Sequence, residues 1–123
     1  VKIVHASCGV LLRDGCIYLR QRPSEGLLAG LWECPSTPFS TTLVTDSDFQ
    51  GFWEREIGRI GEGGPAEMGV VRHVFSHRKL TLRIYKIPDS GAEPQGGRWV
   101  ALDRPGQEVA LSRLTQKVLE LLD

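Results

Sequence analysis

The sequence lacks the features that mark membrane proteins, disulfide-rich proteins and generic nucleic-acid coats. No apolar run approaches the roughly 18 residues of a membrane-spanning helix, and no signal peptide is visible at the start. The three cysteines, Cys8, Cys16 and Cys34, are odd in number and lack Cys-x-x-Cys spacing, which indicates reduced core residues and neither a disulfide framework nor a zinc site. Lys and Arg number 15 and Asp and Glu number 15, so any contact with nucleic acid should be local.

Length and composition predict one globular domain over 1–123. A chain of 123 residues is long enough for a hydrophobic core and too short for two domains, and its 41% hydrophobic and 24% charged residues are typical of a globular protein. There are no internal repeats or low-complexity tracts. The sequence therefore has to build one core from the periodic segments described next.

Alternating and helical patterns predict the order strand, strand, helix, strand, strand, strand, helix. A long strand over 2–13 meets a second over 16–20 through an Asp14-Gly15 turn, and 98–102 reads as a short strand. We expect Asp46 or Ser47 to cap one helix, which runs to Ile57, and Ser112 to cap another. The predicted fold class is α/β (α+β), a mixed sheet between helices. The predicted buried helix residues are Phe49, Phe52, Trp53 and Ile57, and then Leu111, Leu114, Val118, Leu121 and Leu122.

The segments that connect these elements are marked by proline, glycine, serine and threonine. The segment 21–35 contains proline and glycine around an apolar centre, so we expect a loop that packs against the body, with Trp32 filling the core. Ser36 to Thr45 is rich in Ser, Thr and Pro and predicts an irregular connection. Gly58 is expected to end the first helix in the left-handed conformation. The glycines of 61–65 form a turn, because neither a preceding strand nor a phosphate-loop lysine accompanies them.

A basic hairpin stands out over 68–88. This segment holds five Lys or Arg and no Asp or Glu, so it carries +5 and the remainder of the neutral chain −5. Strands over 70–75 and from residue 80 onward flank a polar connection of Ser76, His77, Arg78 and Lys79. Such a tip could reach into nucleic acid. The alternative is an ordinary edge hairpin whose cations discourage strand aggregation.

Catalytic and metal-binding patterns are missing. Glu54 and Glu56 are two apart on the predicted helix and so point in different directions. The histidines, His5, His73 and His77, have no metal-ligand spacing and no acids close by in sequence. We expect His73 to form a hydrogen bond that holds the turn rather than to act as a ligand or base.

Two motifs carry a resemblance to a known family. Leu-Leu-Ala-Gly-Leu-Trp-Glu at 27–33, after Gln21-Arg22-Pro23, and His-Val-Phe-Ser-His at 73–77 resemble the C-terminal domain of adenine DNA glycosylases of the MutY type. The resemblance covers nearly the whole chain and implies the Nudix (MutT-like) fold. It also implies an N-terminal helix-hairpin-helix catalytic domain, absent from this chain, that holds a [4Fe-4S] cluster. No cofactor is expected in this chain itself.

The box of Nudix hydrolases is degenerate here. That box reads G-x5-E-x7-R-E-U-x-E-E-x-G-U, and its glutamates hold Mg²⁺. In this chain Arg59 and Ile60 stand where two of the glutamates would be, and Ser36 replaces the leading glycine. A cation and an aliphatic side chain offer no oxygen to Mg²⁺. We therefore expect no pyrophosphate hydrolysis and no metal site.

The resemblance implies a DNA-lesion reader. The expected partners are duplex DNA containing adenine opposite 8-oxoguanine and the catalytic domain of the same protein, with no membrane contact, in the bacterial cytoplasm or in a eukaryotic nucleus or mitochondrion. Ser76 would contact the lesion, while Phe75 and His77 fix the loop and wedge or stack beside the base. Alternation could instead turn Phe75 into the core. The expected phosphate contacts are Arg78 and Lys79, with possible support from His73, Arg72 and Arg22.

Two other functions stay open on the sequence alone. A stand-alone Nudix hydrolase with a diverged box would release nucleoside monophosphate in the presence of Mg²⁺. A protein-interaction module that borrows the fold would ignore every duplex and present an apolar patch elsewhere. These alternatives differ from the lesion reader in the ligand that each would bind.

Overall fold

A mixed six-stranded sheet organises the computed structural model, which describes residues 1–122. The strand order is β3-β2-β1-β5-β4, and β6 also pairs with β2. β1 and β5 run parallel and the other pairs run antiparallel, so the predicted mixed sheet is confirmed. The strands are β1 (Lys2–Arg13), β2 (Cys16–Gln21), β3 (Trp32–Glu33), β4 (Ala66–Phe75), β5 (Arg78–Ile87) and β6 (Arg98–Ala101).

The described helices are α1 (Asp46–Glu56), α2 (Pro105–Glu108) and α3 (Arg113–Glu120). Two hydrophobic clusters lie on opposite faces of the sheet, because successive strand residues point to opposite sides. On the α3 face Leu80, Leu82 and Ile84 pack with Leu114 and Val118. The cluster on the α1 face contains Leu11, Tyr18, Phe49, Phe52, Trp53, Ile57, Tyr85 and Ile87. Helices cover both faces, as predicted.

The cap of helix α1 lies one residue before the predicted positions. Its N-cap is Thr45 and neither Asp46 nor Ser47. The Thr45 hydroxyl accepts from Asp48 N–H at 3.0 Å, and the Asp48 carboxylate accepts from Thr45 N–H at 3.3 Å. This reciprocal capping box satisfies two backbone donors, which a cap at Asp46 would leave without those partners. Gly58 was predicted to end α1 in the left-handed conformation. It follows the C-cap, but its φ of 156° is far from the roughly +57° of that conformation, so this part of the prediction is wrong.

Helix α3 and its neighbourhood confirm some predictions and correct others. Ser112 caps α3 as predicted, accepting from Thr115 N–H at 3.0 Å. Leu121 is wrong as a core residue, because it follows the end of α3 and is 44% exposed. Trp32 is half-buried against the α3-side cluster, so it fills the core only in part. The short elements β3 and α2 had no sequence signal strong enough to predict them.

The basic hairpin is tighter than predicted. β4 ends at Phe75 and β5 begins at Arg78, so the connection is Ser76 and His77 alone. Arg78 and Lys79 belong to the ladder, where they pair with Phe75 and Val74. Their placement in the loop is therefore wrong. A turn of this length fixes the register of the strands, so the tip is held by the ladder behind it.

Candidate nucleic-acid interface

The tip of the β4–β5 hairpin presents Ser76 on a constrained backbone. Ser76 has a φ of 52°, in the left-handed region that non-glycine residues seldom adopt, and both Ser76 and His77 are exposed. His77 also fastens the tip to β1, because its carbonyl accepts from Lys2 N–H at 2.8 Å. The Ser76 hydroxyl is therefore displayed on a turn that is held from two sides.

Two cations stand behind the tip on opposite faces of the hairpin. Arg78 shares the α3 face with Leu80, and Lys79 shares the α1 face with Thr81, since side chains alternate along β5. Arg72 lies on the α1 face of β4, in register with Thr81. Within residues 1–122, none of these three cations has an ion-pair partner. Their charge is available to an external anion.

Phe75 braces the tip from the α3 face. It is half-buried and its ring lies 5.7 Å from that of Phe39 and 5.8 Å from that of His73. The core placement considered for Phe75 holds in part, because the ring packs beside the α3-side cluster. Phe39, in the connection before α1, was not predicted to be near the hairpin. Its aromatic character in a Ser/Thr/Pro-rich stretch was the available signal.

His73 bonds to helix α3 and not to the turn, so its predicted role is wrong. Its Nδ1 lies 2.9 Å from Lys117 Nζ. An ammonium has no lone pair, so Lys117 donates and a neutral His73 accepts. Partial burial and then the charges of Lys117 and Arg113 lower the pKa of His73. His73 thus positions β4 against α3 as an uncharged group.

Arg22 is bound internally, which argues against a phosphate contact. Its Nε donates to Leu27 O at 2.9 Å, and its Nη1 pairs with Glu33 at 3.2 Å. The guanidinium also lies 5.1 Å from the centre of the Phe39 ring. Arg22 therefore orders the 22–31 loop, and its guanidinium also packs on the Phe39 ring that contacts Phe75.

A cleft of about 400 Å³ is lined by Arg20, Arg22, Glu33 and Glu56, and so includes a residue of the degenerate box. Glu56 accepts from Arg20 at 3.0 Å, and burial, opposed by Arg22, raises the pKa of Glu33. Arg59 is exposed and Ile60 packs against the α1-side cluster. These residues do not fit Mg²⁺, because the carboxylates are already paired with guanidinium groups and the adjoining positions are a cation and an alkyl chain.

The cysteines do not fit an iron–sulfur cluster either. Cys8 and Cys34 are buried, and Cys16 lies in β2 beyond the Asp14-Gly15 turn. The neighbouring Cys34 thiol and burial hold the pKa of Cys8 well above its usual value. A [4Fe-4S] cluster takes four cysteine thiolates, so the three cysteines of this sequence are too few to hold one.

A family model for the NUDIX domain matches residues 7–121. The chain belongs to the NUDIX domain family. Its sheet and helices agree with solved members of the fold, including the MutT NUDIX hydrolase of Burkholderia pseudomallei, which has a TM-score of 0.80 at 20% identity and full coverage of both chains. At 20% identity this likeness shows a shared fold only. The activity of this NUDIX chain has to be argued from its own residues.

More specific similarity is to adenine DNA glycosylases. The human adenine DNA glycosylase is 35% identical over 112 residues, which is 85% of this chain and 20% of the relative; the mouse protein is 34% identical over 116 residues, or 87% and 22%. The C-terminal domain of mouse MUTYH, solved in complex with human PCNA, has a TM-score of 0.75 at 27% identity, covering 97% of this chain and 86% of that one. The chain spans about a fifth of the length of the curated relatives it matches.

Of the helices that the structure describes, none has the length and apolar character that crossing a membrane takes.

Proposed function

We propose that this chain recognises 8-oxoguanine opposite adenine in duplex DNA, as the C-terminal domain of an adenine DNA glycosylase. The observation that carries the proposal is the exposed Ser76 on a turn that the strand ladder and β1 hold in place. Behind it lie Arg72, Arg78 and Lys79, which have no ion-pair partner within residues 1–122. Similarity to adenine DNA glycosylases over 85% of the chain supports it. The catalytic domain of the same protein, carrying its [4Fe-4S] cluster, and the damaged duplex are the proposed partners.

The chemistry of the lesion suits the tip. Oxidation converts N7 of guanine from an acceptor to an N–H donor and adds a carbonyl oxygen at C8. The Ser76 hydroxyl can accept from N7–H, and a free backbone N–H of the turn can donate to O8. A hydroxyl alone can also rotate and donate to unmodified N7. Acceptor and donor on one rigid turn therefore discriminate better than either contact alone.

The hairpin can enter the major groove edge-on. That groove is roughly 12 Å wide and admits a two-stranded ribbon. Because Arg78 and Lys79 lie on opposite faces of the ribbon, one can approach the phosphates on each wall while Ser76 and His77 face the bases. Arg72 would add to the Lys79 side. Phe75 would support the tip, while His73 would hold β4 against α3.

Neutralising Arg78 or Lys79 should weaken binding to all duplexes alike. Each charge-removing variant, Arg78→Ala and Lys79→Ala, should reduce the slope of log K against log salt by about 0.9, the value of one released phosphate contact. Titrations of the chain and the variants with one duplex at several salt concentrations measure this slope. Lys86→Ala is the matched control, since Lys86 is exposed on the same strand far from the tip. An unchanged slope in both tip variants contradicts the phosphate role.

The chain should show no Mg²⁺-dependent hydrolysis of nucleoside diphosphate derivatives. The Arg20–Glu56 pair and the Arg59 and Ile60 side chains occupy the positions from which a Nudix box would bind the metal. Phosphate and nucleotide release from a substrate panel, with and without Mg²⁺, measures this. Turnover that depends on Mg²⁺ and is lost in Glu56→Gln would establish the hydrolase alternative instead.

A further inference from the structure

The outer edge of β4 is largely open. Strand order places β4 at one end of the sheet and β3 at the other. The β3 edge is covered, because Trp32 N–H donates to Ala110 O at 2.8 Å and Trp32 bridges to Leu111. On β4, in the part of the chain that the structure describes, the corresponding contact is Lys117 Nζ donating to Arg72 O at 3.3 Å. The ten residues of β4 therefore form an edge of the sheet on which this lysine is the one covering side chain named in the described part of the chain.

Three residues direct their backbone groups outward along this edge. Phe75 and Arg78 flank the two-residue turn and so form a hydrogen-bonded pair of the ladder. Counting back from Phe75, alternate residues face β5, which leaves the N–H and C=O groups of Val70, Arg72 and Val74 pointing away from the sheet. The bulge between Glu67 and Gly69 interrupts the pattern, so the regular open stretch is 70–75.

The same three residues carry an apolar and basic surface on the α1 face. Val74 is 64% exposed and Val70 is 37% exposed. Val74 is in register with Lys79, which is in register with Ile3, itself 57% exposed. A shallow groove of about 340 Å³ lies over this row. Exposed aliphatic side chains gathered beside one open strand indicate a binding surface.

We propose that β4 accepts an extended segment of a partner protein as an added strand, and that this segment alternates acidic with aliphatic residues. The outward N–H and C=O groups supply strand pairing, with Lys117 releasing Arg72 O to the added strand. Val70 and Val74 supply apolar contact. Arg72, Lys79 and Lys117 flank the edge, and 68–88 contains no Asp or Glu, so the complementary segment is acidic.

A protein strand fits this surface better than DNA does. Phosphates would neutralise Arg72 and Lys79, but they would leave the aliphatic side chains of Val70 and Val74 without apolar contact. A strand satisfies both sets of groups at once. The proposal shares Arg72 and Lys79 with the proposed DNA contact, but it can fail separately, because the edge pairs through the backbone of 70–74 and the tip reads through Ser76.

An alternating Glu-Val octapeptide is the probe. In an NMR titration of the chain, we expect amide shifts concentrated at Val70, Arg72 and Val74. Val74→Asp should weaken binding at least tenfold through repulsion and lost apolar contact. Ala29→Asp is the control, because it adds the same charge at an exposed residue of the loop between β2 and β3, at the opposite end of the sheet from β4. Circular dichroism checks that both variants fold.

The backbone requirement separates strand addition from simple charge attraction. The same peptide methylated on every backbone nitrogen keeps its charges but can pair along neither edge, and it should lose the shifts. Equal binding of the methylated peptide, shifts spread over all basic residues, or no shifts at all would overturn the proposal. Shifts at Val70 and Val74 on adding duplex DNA, with none on adding peptide, would assign the surface to nucleic acid and equally overturn it.

Discussion

Replacing Ser76 with alanine should reduce the preference for 8-oxoguanine over guanine opposite adenine by roughly 5- to 150-fold, the equivalent of about 1–3 kcal/mol of base discrimination. The variant keeps the backbone donor to O8 but removes the acceptor for N7–H. Affinity for the undamaged duplex should change little, because the flanking cations of β5 are untouched. The ratio of dissociation constants for the two duplexes, measured with the proposed full-length glycosylase, gives the effect.

A second variant separates the hydroxyl from the backbone of Ser76. Ser76→Gly also lacks the hydroxyl but adopts a φ of 52° without strain. If the hydroxyl reads the lesion, glycine and alanine should lose the preference alike. Loss in alanine alone would mean that turn conformation, and not the hydroxyl, is what matters. Ser24→Ala, at an exposed serine in the 22–31 loop, is the control and should leave the preference intact.

Replacing Trp53 with alanine should destabilise the fold by about 3–5 kcal/mol, as large aromatic truncations in a core do. Trp53 is 1% exposed and packs over Gly9 of β1, where an added Cβ would clash with the indole. Its ring centre is 6.1 Å from that of Phe49 on the same helix. The side chain therefore holds α1 on the sheet, and its loss leaves a cavity between them.

Urea denaturation of the chain measures this cost. The midpoint should fall with little change in the slope, because the unfolded surface stays similar. Leu43→Ala, at an exposed aliphatic residue just before α1, should change the free energy of unfolding by less than about 0.5 kcal/mol. A Trp53→Ala chain as stable as the control would contradict the assignment of α1 as a structural cover of the sheet.

Periodicity was enough to predict the main elements. The two-residue period of Leu80, Leu82 and Ile84 reports burial against one face, and the spacing of Phe49, Phe52 and Trp53 reports a helix on the other. β3 was not predicted because a strand of two residues is too short to show an alternating pattern. The cap of α1 was misplaced because Thr45, Asp46 and Ser47 all have side chains that can accept hydrogen bonds from the first backbone N–H groups of a helix. The sequence alone does not show which of the three has the backbone conformation of a cap.

The candidate site was predictable in composition but not in arrangement. The sequence locates the tip at 75–79, yet a two-residue turn moves Arg78 and Lys79 into the ladder and onto opposite faces. The bonds of His73 to Lys117 and of Arg22 to Glu33 join positions far apart in sequence. Local pattern carries no information about such pairs, so two predicted support residues turned out to act within the fold.

The most direct test of lesion reading is an NMR titration of this chain with two duplexes that differ only in 8-oxoguanine or guanine opposite adenine. We expect shifts concentrated at 75–79, and larger for the oxidised duplex at Ser76, because only that duplex presents N7–H and O8 to the tip. Equal shifts with both duplexes, or shifts confined to residues outside the hairpin, would contradict lesion recognition by this turn.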